Sequence, residues 1–371
     1  MDNIETQANK KIFRFKPYEP GKPIEYVARE YGLDENKILK LASNENILGT
    51  SPKAKEAIKN ELDTLYLYPD TLCYKLRNKL SQQIEIPAAQ IYVGNGGIEI
   101  LFNLAHAYLA TGTEVIMGKP SFGAFTIGCL AQDADVTFIP LKNYYMDCEA
   151  MLKAIGPKTK MVYLVTPNNP TGALTPNEDI RYFMDNVPPD ILVVIDEAYW
   201  VFAEACNYQS GKQYVLENKN VLVLRSLSKH LGLAGLRVGY AFGRAKIIDN
   251  LYQVHLPFHV NNLAQTAAIA ALDDKEFIED TLKMLADART YYKTELEKRG
   301  LSVIPTGANF ICINLEMDDR VFFNELEKKG VIVRPGSTFN APGYIRVTLG
   351  TLEVNRIFFQ AFDEVMEKLK K

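Results

Sequence analysis

The sequence predicts an α/β protein, with a large domain on a mainly parallel, mixed sheet flanked by helices and a smaller α+β domain after it. Three observations carry this prediction. Between residues 90 and 240, short apolar β-type runs alternate with helical stretches, the pattern of βαβ units. Beyond about residue 260 the pattern changes to long charged helices with a few late strands. The length, 371 residues, exceeds one ordinary core, so two domains are the natural expectation. The expected division is an N-terminal arm over 1–40 that joins the small domain, a large domain over 41–262 and a small domain over 263–371.

The elements follow in order. Phe15-Lys16-Pro17-Tyr18-Glu19-Pro20-Gly21-Lys22-Pro23 carries three prolines and breaks any helix or ladder. A short helix over 24–31 then ends at Gly32. Leu41-Ala42-Ser43-Asn44-Glu45-Asn46 is a polar cluster behind two small apolar residues, the composition of a loop with Asx turns. Tyr66-Leu67-Tyr68-Pro69-Asp70 turns into a helix on which Leu72, Leu76, Leu80 and Ile84 recur every four residues as one apolar stripe. A strand over 90–93 runs into Gly94-Asn95-Gly96-Gly97 and a helix beginning at Ile98. Such a turn offers backbone N–H groups and a positive helix end to an anion, although a glycine turn alone is weak evidence. Strands follow over 113–117, 136–139, 161–165, 191–195 and 220–224. They lead into Pro120-Ser121-Phe122, Thr166-Pro167-Asn168-Asn169-Pro170-Thr171-Gly172, Asp196-Glu197-Ala198-Tyr199 and Ser226-Leu227-Ser228-Lys229. Helices over 261–272 and 275–299 follow, the second stopped by Gly300, and then strands over 303–315, 331–333 and 344–348 around a helix over 320–329.

Composition removes several classes of function. A hydrophobic content of 47% and a charged content of 23% are those of a globular protein. The net charge of −3 gives no electrostatic footprint for nucleic acid or a membrane surface. No apolar run approaches the roughly 20 residues that a membrane-spanning helix needs. The start, Met1-Asp2-Asn3-Ile4-Glu5, has neither the basic residues nor the apolar core of a secretory signal. Cys73, Cys129, Cys148, Cys206 and Cys312 have no paired spacing and read as reduced thiols, so the expected compartment is the cytoplasm. The four histidines fall in no ligand pattern, and no metal is expected.

In open α/β sheets, ligands bind beyond the carboxyl ends of the strands. The glycine turn, the Asn-Pro turn, Asp196 and Lys229 all lie at such ends. Taken alone, Ser226 to Lys229 reads equally well as a surface turn between two strands. Hydroxyls, a lysine and Arg237 crowded together are costly inside a protein unless an anion sits among them. A phosphate on a cofactor that the lysine holds as a Schiff base supplies that anion. Lys229 is then the nucleophile, and later the base that moves the substrate's Cα proton. Asp196, otherwise a helix N-cap, keeps the pyridine nitrogen protonated. Tyr199 and Asn169 are suited to hydrogen-bond the ring oxygen. Phe122, otherwise plain core, is suited to cover the ring face. Ser226, Ser228, Arg237 and the amides of Gly96 and Gly97 would hold the phosphate.

Asn169-Pro170-Thr171-Gly172, Asp196-x-x-Tyr199 and Ser226-x-Ser228-Lys229 with Arg237 resemble the signature of the fold-type-I pyridoxal-phosphate aminotransferases. Further stretches resemble the histidinol-phosphate aminotransferase branch of that family. They are Leu41 to Asn46, Tyr68-Pro69-Asp70, Pro257-Phe258-His259-Val260-Asn261 with Leu263-Ala264-Gln265, Val333-Arg334-Pro335 and Ile345-Arg346-Val347-Thr348-Leu349-Gly350-Thr351. The resemblance runs from Tyr18 to about Asn355. It implies the cofactor pyridoxal 5'-phosphate and a ping-pong exchange between histidinol phosphate and 2-oxoglutarate in histidine biosynthesis. It also implies a homodimer in which Tyr68 of one subunit reaches the cofactor phosphate of the other. Arg346 would grip the anionic group of either substrate, and Arg334, Tyr18, Asn46 and Asn309 would line the same pocket.

The chain departs from the family at three places. Ile47 stands where a proline is usual, and Gly97-Ile98-Glu99 stands for Ser-Asp-Glu, which keeps the Ile98 amide but loses a polar side chain. His230, beside the lysine, replaces a smaller residue and leaves substrate preference open. Aromatic amino-acid aminotransferases and decarboxylases of phosphorylated amino acids share this machinery. A non-catalytic pyridoxal-phosphate-binding regulator would need a DNA-binding segment, and the arm is too short and proline-broken to hold one.

Overall fold

The structure is a computed structural model that describes residues 10–15, 17 and 21–370. Twelve strands are present among these residues: β1 (Leu39–Lys40), β2 (Ile91–Gly94), β3 (Glu114–Lys119), β4 (Asp135–Pro140), β5 (Thr159–Val165), β6 (Leu192–Asp196), β7 (Val221–Ser226), β8 (Gly239–Gly243), β9 (Phe310–Asn314), β10 (Val331–Ile332), β11 (Arg334–Pro335) and β12 (Tyr344–Thr348). Seven of them form one sheet in the order β2-β8-β7-β6-β5-β3-β4. From β7 to β4 every neighbouring pair is parallel, whereas β8 runs antiparallel to both β7 and β2. The reversal has a local cause. Only residues 227–238 separate β7 from β8, with no crossover helix between them, so the chain returns beside its own strand.

The central strands β6, β7 and β8 are buried along their whole length, as helices on both faces of a parallel sheet require. On β4, at the edge, no residue is fully buried. The helix Gly96–Tyr108 buries Ile100, Leu101 and Leu104 in the core around this sheet. The helices Pro52–Glu61 and Asn262–Ala271 pack on each other through small side chains, with Ala54, Ala264, Ala267, Ala268 and Ala271 in the same core. That core therefore extends past residue 262.

A second core gathers Leu285, Ala288, Tyr292 and Leu296 of the helix Lys275–Lys298, Phe322 and Leu326 of Asp319–Lys328, and Phe358 and Phe362 of Leu352–Leu369. These pack against an antiparallel sheet, β11-β12-β9. The short parallel pair β1/β10 and the bonds Leu41 N to Ile332 O (2.7 Å) and Thr348 N to Leu41 O (2.9 Å) carry residues 39–41 into this region. The loop over 42–51 thereby spans the gap between the two cores.

Two local expectations need correction. Leu72 is exposed and lies outside its helix, which runs Tyr74–Ile84 and buries Leu76, Leu80 and Ile84. The Asp70 carboxylate accepts the N–H groups of Leu72 (2.9 Å) and Tyr74 (2.6 Å), an Asx turn that delays the helix start. The expected strand over 303–315 is a bent pair of segments instead. Val303 bridges back to Ile313 and regular pairing resumes at Phe310, because Pro305 and Gly307 turn the chain between them.

Candidate active site

The carboxyl ends of β5, β6 and β7 open onto a cavity of about 880 Å³. Gly97, Ile98, Phe122, Asn169, Asp196, Tyr199, Ser226, Ser228, Lys229, Arg237, Arg334 and Arg346 all line it, drawn from separate segments of the chain.

One end of the cavity is built for an anion. Gly96 has φ +77°, and a Cβ there would lie 2.6 Å from Arg237 Nη2, so the guanidinium rests directly against the glycine turn. Arg237 is itself left-handed (φ 57°), and its Nη1 donates to Ala234 O at 3.0 Å. The Ser228 N–H donates to Ser226 Oγ at 3.2 Å, which curls the serine turn and sets both serines at the cavity wall. Hydroxyls, a guanidinium and a helix N-terminus thus converge on one place.

Lys229 Nζ donates to Ser43 O at 3.1 Å and lies 5.9 Å from the Tyr199 ring centroid. Removal from water, then the charges of Arg346 and Arg237, pull its amine down to about 8, with Glu45 opposing them. An amine near that value is a usable nucleophile at neutral pH. Asp196 is 4% exposed, and burial lifts its carboxyl to about 6. Its Oδ2 accepts from Tyr163 OH at 2.6 Å and its Oδ1 from Ala198 N at 3.0 Å. A carboxylate so placed gains from a cation on its open side, and a protonated pyridine nitrogen is such a cation.

The cavity wall also carries two arginines. Arg334 and Arg346 stand directly opposite each other across β11 and β12, so their side chains leave the same face of that sheet. Each is only 8% exposed. Arg346 Nη1 donates to Asn169 Oδ1 at 2.6 Å and Nη2 to Ala42 O at 2.5 Å. Tyr199 OH accepts from Asn44 Nδ2 at 2.9 Å, while its ring packs edge-on against Phe310.

Other expected residues stand elsewhere. Tyr68 is 82% exposed, away from the cavity, and stacks on Phe258 at 4.6 Å. Asn46 and Asn309 stand behind the cavity wall. Asn46 Nδ2 donates to His230 O (3.2 Å) and Thr281 Oγ1 (3.0 Å), and Asn309 Nδ2 donates to Asn44 O (3.0 Å). His230 does not line the cavity, and burial pulls its imidazole down to about 3, helped by Arg225. Tyr18 lies outside the described residues.

Sequence reasoning missed Tyr163, Asn44 and the Ser43 carbonyl. A signal existed for Tyr163, the one phenol in the apolar run Met161-Val162-Tyr163-Leu164-Val165, two positions before the strand end and therefore on one face with Val165, the partner of Asp196. It also missed the ion pair beneath the site. Arg225 Nε lies 2.9 Å from Glu197 Oε2, both side chains are buried, and Glu197 also accepts from Tyr208 OH, Ser210 Oγ and Gly211 N. Each partner follows or precedes a cavity residue by one position, so the pair lies on the opposite side of the strands from Asp196 and Ser226.

This donor set fits pyridoxal 5'-phosphate: an anion cradle, a lysine amine lowered by burial and a buried carboxylate surround one cavity. Among the described residues, no cluster of three or more His, Cys, Asp or Glu could hold a metal ion, and no helix is long and apolar enough to cross a membrane.

Residues 36–362 match the family model for class I and II aminotransferases. A histidinol-phosphate aminotransferase of Moorella thermoacetica is 40% identical over 96% of this chain and 92% of its own. One from Caldicellulosiruptor saccharolyticus is 41% identical over 96% and 99%. The crystal structure of histidinol-phosphate aminotransferase from Sinorhizobium meliloti in complex with pyridoxal-5'-phosphate superposes with a TM-score of 0.86 at 24% identity, over 96% of this chain and 98% of that one.

Proposed function

The chain belongs to the class I and II aminotransferases, pyridoxal-phosphate-dependent enzymes, and on that premise we propose that it exchanges an amino group between histidinol phosphate and 2-oxoglutarate. The single observation that carries the proposal is the presence of two anion sites in one cavity. The serine turn with Arg237 suits a cofactor phosphate, and Arg334 with Arg346 suits a substrate anion near Lys229.

When bound, pyridoxal 5'-phosphate supplies the electron sink for breaking the substrate's Cα–H bond. Ser226, Ser228, Arg237 and the amides of Gly96, Gly97 and Ile98 would hold its phosphate. Asp196 would pair with its ring nitrogen, held in place by Tyr163, which donates to Oδ2. Tyr199 and Asn169 would hydrogen-bond its ring oxygen, and Phe122 would cover a ring face. Lys229 Nζ would hold the cofactor and, once released from it, would carry the Cα proton. Arg346, steadied by Asn169 and the Ala42 carbonyl, grips a carboxylate in one half-reaction and a phosphate in the other, since a guanidinium fork suits both oxyanions. Arg334 completes the substrate side, while Asn46 and Asn309 brace the loop behind it through His230 O and Asn44 O.

The enzyme works as a cytoplasmic homodimer in histidine biosynthesis. Leu65, Tyr66, Leu67, Tyr68, Leu256 and Phe258 are exposed apolar side chains in two neighbouring segments, and a second copy of the chain is the occupant that would cover them. Tyr68 of each subunit would then reach the other's cofactor phosphate.

A panel of amino donors with 2-oxoglutarate tests the substrate. The highest kcat/KM is expected for histidinol phosphate, and a higher value for phenylalanine or tyrosine would overturn the assignment. Sedimentation at micromolar concentration tests the dimer; a monomer would remove the role given to Tyr68.

A further inference from the structure

His259 takes no part in the chemistry above, yet its side chain is 2% exposed. Its Nε2 lies 3.0 Å from Val93 O and 3.3 Å from Tyr92 OH. A carbonyl only accepts, so Nε2 carries the hydrogen, and Nδ1 is a buried nitrogen with no partner. The ring stacks on Tyr92 at 5.7 Å. Tyr92 OH in turn donates to Glu99 Oε1 (3.1 Å), and Glu99 Oε2 accepts the Asn95 N–H (2.8 Å) at the N-cap of the helix Gly96–Tyr108. On this side, His259 is therefore fastened to the glycine turn.

On its other side His259 adjoins Phe258, which stacks on Tyr68 and whose N–H donates to Thr71 Oγ1 at 2.9 Å. Asn262 Nδ2 donates to Leu67 O (3.2 Å) and Gln265 Nε2 to Asp70 O (2.9 Å), so the whole segment over 67–71 hangs on residues 258–265. The hydrogen bond from His259 to Val93 is a direct polar link between residues 258–265, on which that outward-facing segment hangs, and the strand that ends in the glycine turn, beside the packing of the helix Tyr74–Ile84 on the same strand.

We propose that His259 is a positioning residue that sets Tyr68 at a fixed offset from its own subunit's phosphate-binding turn, and so governs how firmly the dimer holds cofactor. This rests on the roles proposed above for Gly97 and Tyr68. Binding of pyridoxal 5'-phosphate to the full-length chain, followed by absorbance titration, tests it. His259→Leu should weaken the affinity about fivefold, the weight of one hydrogen bond. His259→Gln, whose amide nitrogen can occupy the Nε2 position, should restore it to within about twofold. The loss caused by His259→Leu should vanish when Tyr68→Phe is already present, because the two act through one contact. An equal loss in both backgrounds, or no rescue by glutamine, would overturn the proposal while leaving the proposed function standing. Should His259→Leu fail to fold, His259→Asn in the same cycle gives the same reading. A wild-type chain that binds no cofactor would overturn the function itself, and this inference with it.

Discussion

Lys229 is a cation held among cations, and the cofactor-free protein bears the cost. Its amine falls from the ordinary 10.5 to about 8, chiefly through burial and then through Arg346 and Arg237. At neutral pH that drop corresponds to roughly 3 kcal/mol of destabilisation, as an upper figure. The sign follows from proton counts. Below about 8 the lysine is charged in both the folded and the unfolded chain, and the penalty is complete. Between about 8 and 10.5 the unfolded chain binds more protons than the folded one, so stability rises with pH until the penalty is gone. Lys229→Met keeps the length and apolar stem of the side chain but removes the charge. In cofactor-free and phosphate-free buffer at pH 7, the variant should unfold at a Tm higher than wild type by up to roughly 4 °C, taking the usual unfolding entropy for a chain of this length. Near pH 9.5 the advantage should fall to roughly half or less. Phosphate is left out because an anion beside Arg237 would offset the repulsion. Paired thermal melts followed by circular dichroism provide the assay. No gain at pH 7, or a gain unchanged at pH 9.5, would refute the reasoning.

The remaining predictions concern the loaded enzyme and its scaffold. Arg346→Ala should raise KM for both substrates by about ten- to a hundredfold, the weight of a charge-assisted hydrogen bond to an anion, and steady-state kinetics showing an unchanged pair would move the anion site elsewhere. Asp196→Asn should cut turnover by at least about a hundredfold while the cofactor stays bound; wild-type rates would count against the role given to that carboxylate. The rate at which cofactor-free protein takes up pyridoxal 5'-phosphate should climb as pH passes through about 8, because only the unprotonated Lys229 amine attacks, and stopped-flow absorbance showing a flat profile would contradict this. Arg225→Met should cost about 3–5 kcal/mol in urea unfolding by leaving Glu197 buried without its partner, and a neutral result would mean that Tyr208, Ser210 and Gly211 suffice for Glu197.

What could be read from the sequence was whatever local order alone determines. Strands between 90 and 240 could be placed because apolar runs and turn residues alternate, and the residues just past their ends share one edge by the geometry of a parallel sheet. That is why the Ser-x-Ser-Lys turn, Asp196 and Asn169 meet in one cavity. The direction of β8 was not legible, since it depends on a crossover helix being absent rather than on any motif. Nor was the offset of Leu72, because two hydrogen bonds to Asp70 outweighed an apolar period that continues through the turn.

Arg334 and Arg346 make the same point for the site. In sequence, Arg346 sits in an alternating strand and would be a solvent-facing charge in most proteins. It becomes a cavity residue only because β12 pairs with β9 on one side and β11 on the other, which buries it to 8% exposure and sets Arg334 beside it. Two like charges directly across a strand pair repel, and desolvation adds to the cost. Neighbouring acceptors, Asn169 Oδ1 and the Ala42 carbonyl, relieve part of it for Arg346. An arriving carboxylate or phosphate would relieve more, so the pairing of two buried guanidinium groups favours an anionic substrate.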